Sequence, residues 1–150
     1  MKKRILTLVL MLSIGFSSVF ANNEEGISIK AISAFKKEFA QAKDVKWEAG
    51  KEFVKATFEM NGQVMFAYYT PEGEQLAITR NILSSQLPFN LASQLRNNKQ
   101  SWITDLFEVA SNGETTYYVT LETADSKVVL RSRGISGWDQ FKKEKKNTEE

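Results

Sequence analysis

The stretch "DVKWEAGKEFVKATFEMNGQVMFAYYTPEG", residues 44–73, predicts two antiparallel strands joined by a tight turn. Asn61-Gly62 lies between two apolar runs and supplies the positive φ values that a two-residue hairpin requires. A further turn is predicted at 70–74, where "TPEGE" places Pro71 and Gly73 at favoured turn positions. The stretch therefore predicts consecutive antiparallel strands.

The same order of elements occurs twice along the chain. In the first half, a helix capped by Ser28 carries Ile29, Ile32, Phe35 and Phe39 at helical spacing and extends to about Ala42. The strands predicted after it lie at about 44–49, 52–60, 63–70 and 74–80. In the second half, a helix that begins at Pro88, with Leu91 and Leu95 on one face, precedes strands predicted at about 102–110, 114–123 and 127–133.

The two halves are also similar in detail. Asn112-Gly113 repeats the hairpin signal, and "VMFAYYTPEGEQLAITR" matches "TYYVTLETADSKVVLRSR" in the order aromatic strand, polar turn, apolar strand, arginine. We therefore predict an α+β fold built from two repeats of a helix plus a β-meander, at about 28–81 and 87–134. Together they form one domain over 22–141.

The two ends of the chain differ from this pattern. Lys2, Lys3 and Arg4 precede an apolar run and the small-residue pattern Val19-Phe20-Ala21, so residues 1–21 are predicted to be a cleaved signal peptide. The protein is then periplasmic or secreted, with no stable membrane insertion after cleavage. The last residues, 142–150, lack apolar side chains and are predicted to be a disordered tail. The sequence does not decide whether Trp138 and Phe141 pack as a last short element before it.

Charge and composition exclude several classes of function. Three of the 20 basic residues belong to the predicted signal, which leaves 17 against 18 acidic residues and argues against nucleic-acid binding. The chain has no histidine and no cysteine, so the commonest general base, thiol nucleophiles and Cys/His zinc sites are missing. Ser84-Ser85 reads as a helix cap, and Glu72 and Glu74 as solvated turn residues. We predict no enzyme activity, no cofactor and no metal.

Alternation along the strands assigns the two faces of the sheet. The side under the helices is predicted to hold Val54, Ala56, Phe58, Met60, Val64, Phe66, Tyr68, Tyr117, Val119, Leu121, Val128 and Leu130. The opposite side is predicted to hold Phe53, Lys55, Thr57, Met65, Tyr69, Tyr118, Thr120, Lys127, Val129, Arg131 and Arg133. This second set mixes aromatic residues with long cations, which is compatible either with a solvated face or with a recognition surface.

The segments "AFKKEFAQAKDVKWE", "FAYYTPEGE", "QLP" and "TYYVTLE" resemble the bacterial periplasmic PepSY-like family, which is related in fold to the β-lactamase-inhibitor protein. The resemblance covers about residues 29–134. It implies one curved antiparallel sheet of about seven or eight strands with two helices on one face. In the inhibitor the open sheet face grips a loop of an enzyme, so the resemblance implies the same use for the opposite face here.

Two functions follow as hypotheses. The first is a non-catalytic periplasmic binding or inhibitory module that recognises an envelope protein or peptide through the open sheet face. The residues predicted to carry it are Phe53, Lys55, Met65, Tyr69, Tyr118, Arg131 and Arg133. The alternative is a small-ligand or envelope-stress module that uses a cleft between the sheet and the second helix, lined by Trp47 and Trp102, although both tryptophans are expected in the core. The sequence does not identify the partner or the oligomeric state.

Overall fold

A computed structural model describes residues 26–98 and 100–146, so the predicted signal peptide lies outside the described residues. The chain divides into two compact units, with the boundary between Ile78 and Thr79. The first unit contains helix α1 (Ile29–Glu38) and strands β1 (Lys43–Ala49), β2 (Val54–Met60) and β3 (Gln63–Tyr69). Strand β4 (Gln75–Asn81) begins in the first unit and ends in the second.

In the second unit, β4 is followed by a single 3₁₀ turn, Ser84–Gln86, and by helix α2 (Phe89–Arg96). Its strands are β5 (Trp102–Ser111), β6 (Glu114–Glu122), β7 (Ser126–Arg133) and β8 (Gly137–Lys145). The eight strands lie in chain order in one antiparallel sheet, from β1 to β8. The predicted α+β fold is confirmed. Within the described ranges, no helix is long and apolar enough to cross a membrane.

The core of the first unit lies between α1 and one face of its strands. Ser28 caps α1 as predicted, because its Oγ accepts a hydrogen bond from the backbone N–H of Lys30 at 3.2 Å. Phe35 packs edge-on against Phe58, with ring centroids 4.9 Å apart, and against Trp47 at 5.4 Å. Ile29, which the helical pattern placed on this face, is instead 83% exposed at the first position of α1.

The β2–β3 hairpin has the predicted turn, with φ of 54° at Asn61 and 74° at Gly62. Because the turn has two residues, Met60 faces Gln63, and this register places Val54 opposite Tyr69. Directly opposed residues point to the same face of an antiparallel sheet. The turn alone therefore fixes which residues of β3 share a face with those of β2.

Gly73 brings the β3–β4 turn against the backbone of α1. Its φ is +87°, and a Cβ at this position would lie 2.8 Å from the carbonyl oxygen of Lys30. Thr70 closes the turn, since its Oγ1 accepts a hydrogen bond from the N–H of Glu74 at 3.1 Å. Only glycine satisfies both the conformation and the close approach.

The core of the second unit is built in the same way beneath α2. Leu91 and Leu95 are buried, as their spacing predicted, and they join Leu106, Val119 and Leu121 in one apolar cluster. Trp138 packs against this cluster, and its Nε1–H donates to the carbonyl oxygen of Leu91 at 3.2 Å. Pro88 precedes the helix as its cap rather than occupying the first helical position.

Strand β8 corrects the prediction of a disordered tail from residue 142. It runs for nine residues to Lys145, which faces Ser126 of β7. Backbone pairing with β7 does not depend on apolar side chains, and lysines are common on edge strands because they discourage further pairing. Residues 147–150 of the predicted tail lie outside the described residues.

Candidate functional site

One surface lies on the face of the first unit that points away from α1. We call Phe53, Lys55, Phe66 and Tyr68 the first patch. Lys55 faces Tyr68 in the β2–β3 register, and it alternates with Val54 and Ala56, which are buried on the helix side. The first patch is therefore on the opposite side of the strands from the core.

Aromatic rings and a cation are in contact within the first patch. The Nζ of Lys55 lies 5.0 Å from the ring centroid of Phe66 and 2.9 Å from a carboxylate oxygen of Glu48. The rings of Phe53 and Tyr68 meet edge-on, with centroids 5.7 Å apart. Tyr68 is buried, whereas Phe53, Lys55 and Phe66 are half-buried. Their exposed parts form an amphipathic surface that combines aromatic rings with a cation.

Two residues predicted for this surface lie in the core instead. Tyr69 is 1% exposed and belongs to the cluster under α1, and Met65 packs against the same cluster. Conversely, Phe66 and Tyr68, predicted for the core, lie on the opposite face. The reason is the register: Tyr69 faces Val54 and Met65 faces Phe58, both of which point toward α1.

Tyr69 has a polar environment only at its hydroxyl. The Nε2 of Gln75 donates to this hydroxyl at 3.2 Å and also hydrogen-bonds to the carboxylate of Glu38 at the end of α1. Burial raises the pKa of Tyr69, the hydrogen bond from Gln75 lowers it, and the charge of Glu38 raises it further. The net pKa is above the ordinary value, so Tyr69 is a neutral structural group rather than a reactive one.

A second surface lies on the face of the second unit that points away from α2. We call Phe107, Tyr118, Arg131 and Phe141 the second patch. Phe107 faces Tyr118, and Tyr118 faces Arg131 on β7, while the neighbouring Val119 points into the core under α2. The prediction that Tyr118 and Arg131 lie on this face is confirmed.

The second patch is a stack of rings capped by a guanidinium group. The rings of Phe107 and Tyr118 are parallel, with centroids 5.3 Å apart, and Phe141 meets Tyr118 edge-on at 5.6 Å. The guanidinium carbon of Arg131 lies 5.6 Å from the ring centroid of Phe141. Phe107 and Tyr118 are buried, whereas Arg131 and Phe141 are half-buried. The accessible part of the patch is thus a cation on an aromatic ring.

Arg131 also contacts the hydroxyl of Tyr118. Burial raises the pKa of Tyr118, and the charge of Arg131 and its hydrogen bond to the phenol oppose that rise. The pKa of Tyr118 still remains above its ordinary value, so the phenol is neutral at physiological pH.

Arg133 has a different environment from Arg131. It is exposed near the end of β7, and its Nε donates to the Oδ2 of Asp139 at 3.0 Å in a bidentate pair. Such exposed pairs contribute little to stability and leave no charge unmatched. Of the predicted binding residues, Arg133 and Lys55 each have a charge that is matched by a carboxylate, that of Asp139 and that of Glu48.

The serine and glutamate residues that could act in catalysis lie in exposed turns. Ser84 and Ser85 lie in the 3₁₀ turn, and Glu72 and Glu74 are exposed in the β3–β4 turn. Among residues 26–98 and 100–146, no group of three acidic, histidine or cysteine side chains could hold a metal ion.

The two tryptophans proposed to line a cleft occupy different environments. Trp47 is 5% exposed in the core under α1, next to Phe35 and Tyr69. Trp102 is 54% exposed, with the Nζ of Lys146 5.4 Å from its ring centroid. The expectation of a core position is therefore correct for Trp47 and wrong for Trp102.

Sequence reasoning missed four residues of the patches: Phe66, Tyr68, Phe107 and Phe141. For Phe66 and Tyr68 the signal was present, because a two-residue Asn-Gly turn fixes the pairing and hence the faces. Phe107 follows in the same way from Asn112-Gly113, which places it opposite Tyr118. Phe141 lies at a register shift of the β7–β8 pairing, between Gln140, which faces Leu130, and Lys142, which faces Val129, and no turn signal predicts this shift.

Several solved structures have a similar fold. A DUF2874 family protein from Bacteroides uniformis superimposes with a TM-score of 0.68 at 14% identity, over 78% of this chain and 88% of that one. A protein from Bacteroides eggerthii whose name proposes a periplasmic location superimposes with a TM-score of 0.68 at 14% identity, over 78% of this chain and 87% of that one. A BLIP-like protein from Bacteroides fragilis superimposes with a TM-score of 0.67 at 19% identity, over 79% of this chain and 85% of that one.

These likenesses define the fold class and nothing finer. No family model matches the chain. No curated protein matches it by sequence. The chain therefore has the fold of BLIP-like and DUF2874 proteins from Bacteroides. The PepSY-like family remains a resemblance in sequence motifs.

Those motifs have structural roles in this fold. In "DVKW", Asp44 has a φ of 51° at an irregularity of β1, and Trp47 lies in the core. In "AYYTPEG", Tyr69 is a core residue and Gly73 makes the close turn. In "LP", Leu87 is buried just before α2. The motifs specify the fold rather than a binding site.

Proposed function

We propose that this protein is a non-catalytic periplasmic binding module that recognises a protein or peptide through the strand faces opposite its helices. Inhibition of an enzyme would be one form of such binding. The observation that carries the proposal is the recurrence, in each unit, of a half-buried cation placed over an aromatic ring on that face: Lys55 over Phe66, and Arg131 over Phe141.

This arrangement favours recognition over a plain solvated face. Aromatic residues and arginine are the side chains that contribute most to binding at protein interfaces. Here they are held by paired strands, so little conformational entropy is lost when a partner binds. A solvated face would need none of the ring stacking between Phe107, Tyr118 and Phe141.

The periplasmic location is part of the same proposal. It is supported by the signal-like residues 1–21 and by the likeness to a Bacteroides eggerthii protein whose name proposes that compartment. The absence of histidine and cysteine from the whole chain supports a non-catalytic role, because the commonest acid–base and nucleophilic groups are missing.

A capture experiment with matched variants tests the proposal. Protein purified from the periplasm is immobilised and exposed to envelope extract, alongside Phe66→Ser, Phe141→Ser and the helix-surface control Lys37→Ser. We expect at least one protein to be retained by the parent and by Lys37→Ser but lost from one of the patch variants. Retention that is equal on all four, with each variant folded by circular dichroism, would refute the role of the patches.

A further inference from the structure

We infer that Arg131 is the anchor for a carboxylate of the partner, so that the second patch takes an acidic peptide segment. The inference rests on the proposed function and names the chemistry of its ligand. It follows from the charge balance around Arg131, which differs from that of the neighbouring cations.

The other half-buried cations on β7 and β8 are each matched by a carboxylate. Lys127 lies 3.9 Å from Glu122, and Lys142 pairs with Glu144. Lys143 and Lys145 are unpaired but exposed, so water solvates them. Arg131 alone combines partial burial with no ion pair among the described residues.

The carboxylate opposite Arg131 does not supply that pair, because Asp139 faces Arg131 across β7 and β8 but is held by Arg133 through both of its oxygens. Asp105 lies on the same face of β5, where it faces Thr120, and its Oδ1 accepts a hydrogen bond from the Nδ2 of Asn81 at 3.4 Å. Arg131 instead contacts the phenol of Tyr118 and the ring of Phe141, which are both neutral.

The chemistry of the guanidinium group indicates what would complete the site. It has five N–H donors in a planar fork that matches a carboxylate in a bidentate geometry. The Tyr118 hydroxyl and the Phe141 ring fix the orientation of the plane without using all the donors. Removing a charge from water is unfavourable unless it gains a partner, so an acidic side chain that covers the patch would match Arg131 directly.

A peptide-selection experiment tests the inference. A random heptapeptide display library is selected against the protein purified from the periplasm, and enriched peptides are synthesised with and without each Asp or Glu changed to its amide. Dissociation constants are measured for the parent, Arg131→Gln, Arg131→Lys and the control Lys143→Gln, which removes an exposed cation from the adjacent strand β8. Thermal melts establish that each variant is folded.

The expected result is enrichment of Asp or Glu beside an apolar residue. Arg131→Gln should weaken binding about tenfold or more, Arg131→Lys should weaken it less, and Lys143→Gln should change it by less than about twofold. Converting the acidic residue of the peptide to its amide should cause the same loss as Arg131→Gln, with no further loss when both changes are combined.

The outcomes separate this inference from the proposed function. Selected peptides that lack acidic residues, or that bind Arg131→Gln as tightly as the parent, would overturn the carboxylate assignment. If those peptides still lost affinity to Phe141→Ser or Phe66→Ser, the proposed function would stand. Peptides insensitive to all these variants, or a library that yields no binder, would count against both.

Discussion

Strand β3 has apolar side chains on both faces because each face packs against other residues of the first unit. Tyr69 and Ala67 lie under α1, and Tyr68 lies against the ring of Phe53 on the other side. Phe66 is the residue that remains half-buried, beneath the ammonium group of Lys55. The doubled apolar strand therefore reflects one face buried under α1 and one face that Phe53 and Lys55 cover in part.

The first prediction concerns the stability cost of removing each ring. Tyr69→Ala should lower the free energy of unfolding by about 3–5 kcal/mol, because it leaves a cavity in the core. Phe66→Ala should cost about 1 kcal/mol, since its ring is already partly in water. Urea unfolding followed by circular dichroism measures both. Equal losses would mean that both faces of β3 are buried in the isolated protein.

The second prediction concerns the titration of Tyr69. Its folded pKa is raised by burial, so the neutral phenol is favoured in the folded state. The stability this provides is fully present below the unfolded pKa of about 10 and is lost as the pH rises through the higher folded value. Tyr69→Phe should therefore reduce the loss of stability above pH 10. An ultraviolet phenolate titration of the parent and this variant should differ by a group that ionises above 10, and a difference below 10 would contradict the assignment.

At the scale of the elements, the chemistry of turns, helix caps and helix faces predicts most of the helices and hairpins. The two Asn-Gly hairpins, the Ser28 cap and the Leu91/Leu95 face all followed from local residue chemistry. The Asn61-Gly62 turn fixes the partners of Met65 and Tyr69 and therefore predicts their face of the sheet. Apolar alternation does not predict that face, because β3 is apolar on both sides.

Strand β8 was not predictable in the same way. Its sequence "GWDQFKKEK" has few apolar residues, and its structure depends on pairing with β7 and on the Trp138 contact to α2. Long-range pairing of this kind leaves no local pattern to detect. The position of Phe141 in the second patch depends on β8 and was missed for the same reason.

A third prediction tests the contact between the β3–β4 turn and α1. Gly73→Ala should destabilise the protein more than Gly62→Ala, although both positions have positive φ. Gly62 has no atom within 4 Å of the added Cβ, so its substitution costs only the backbone strain, about 1–2 kcal/mol. The approach to the Lys30 carbonyl should add about 1–3 kcal/mol at Gly73. Thermal unfolding of the two variants gives the difference, and equal melting temperatures would show that the turn does not press on α1.

At the scale of the whole molecule, β4 connects the two units. Its first residues belong to one unit and Thr79–Asn81 to the other. Unfolding of either unit alone would therefore disrupt part of β4. The sequence predicts a single domain over 22–141. This prediction means that the two units unfold in one cooperative transition.

The fourth prediction is that the two units unfold together. Hydrogen exchange measured by mass spectrometry at increasing urea should give the same free energy of opening for β2 and for β6, which are central strands of the two units. The same value should be obtained from global unfolding. A markedly lower free energy in one unit would show that the units are independent domains.

The central claim is that partners contact the strand face opposite α1, and site-specific photocrosslinking in living cells tests it most directly. A benzoyl-phenylalanine residue is placed at Phe66, in the first patch, or at Lys37, which is exposed on α1. We predict that ultraviolet light produces a covalent adduct with an envelope protein from position 66 and none from position 37. No adduct at position 66, or equal adducts at both positions, would contradict the claim.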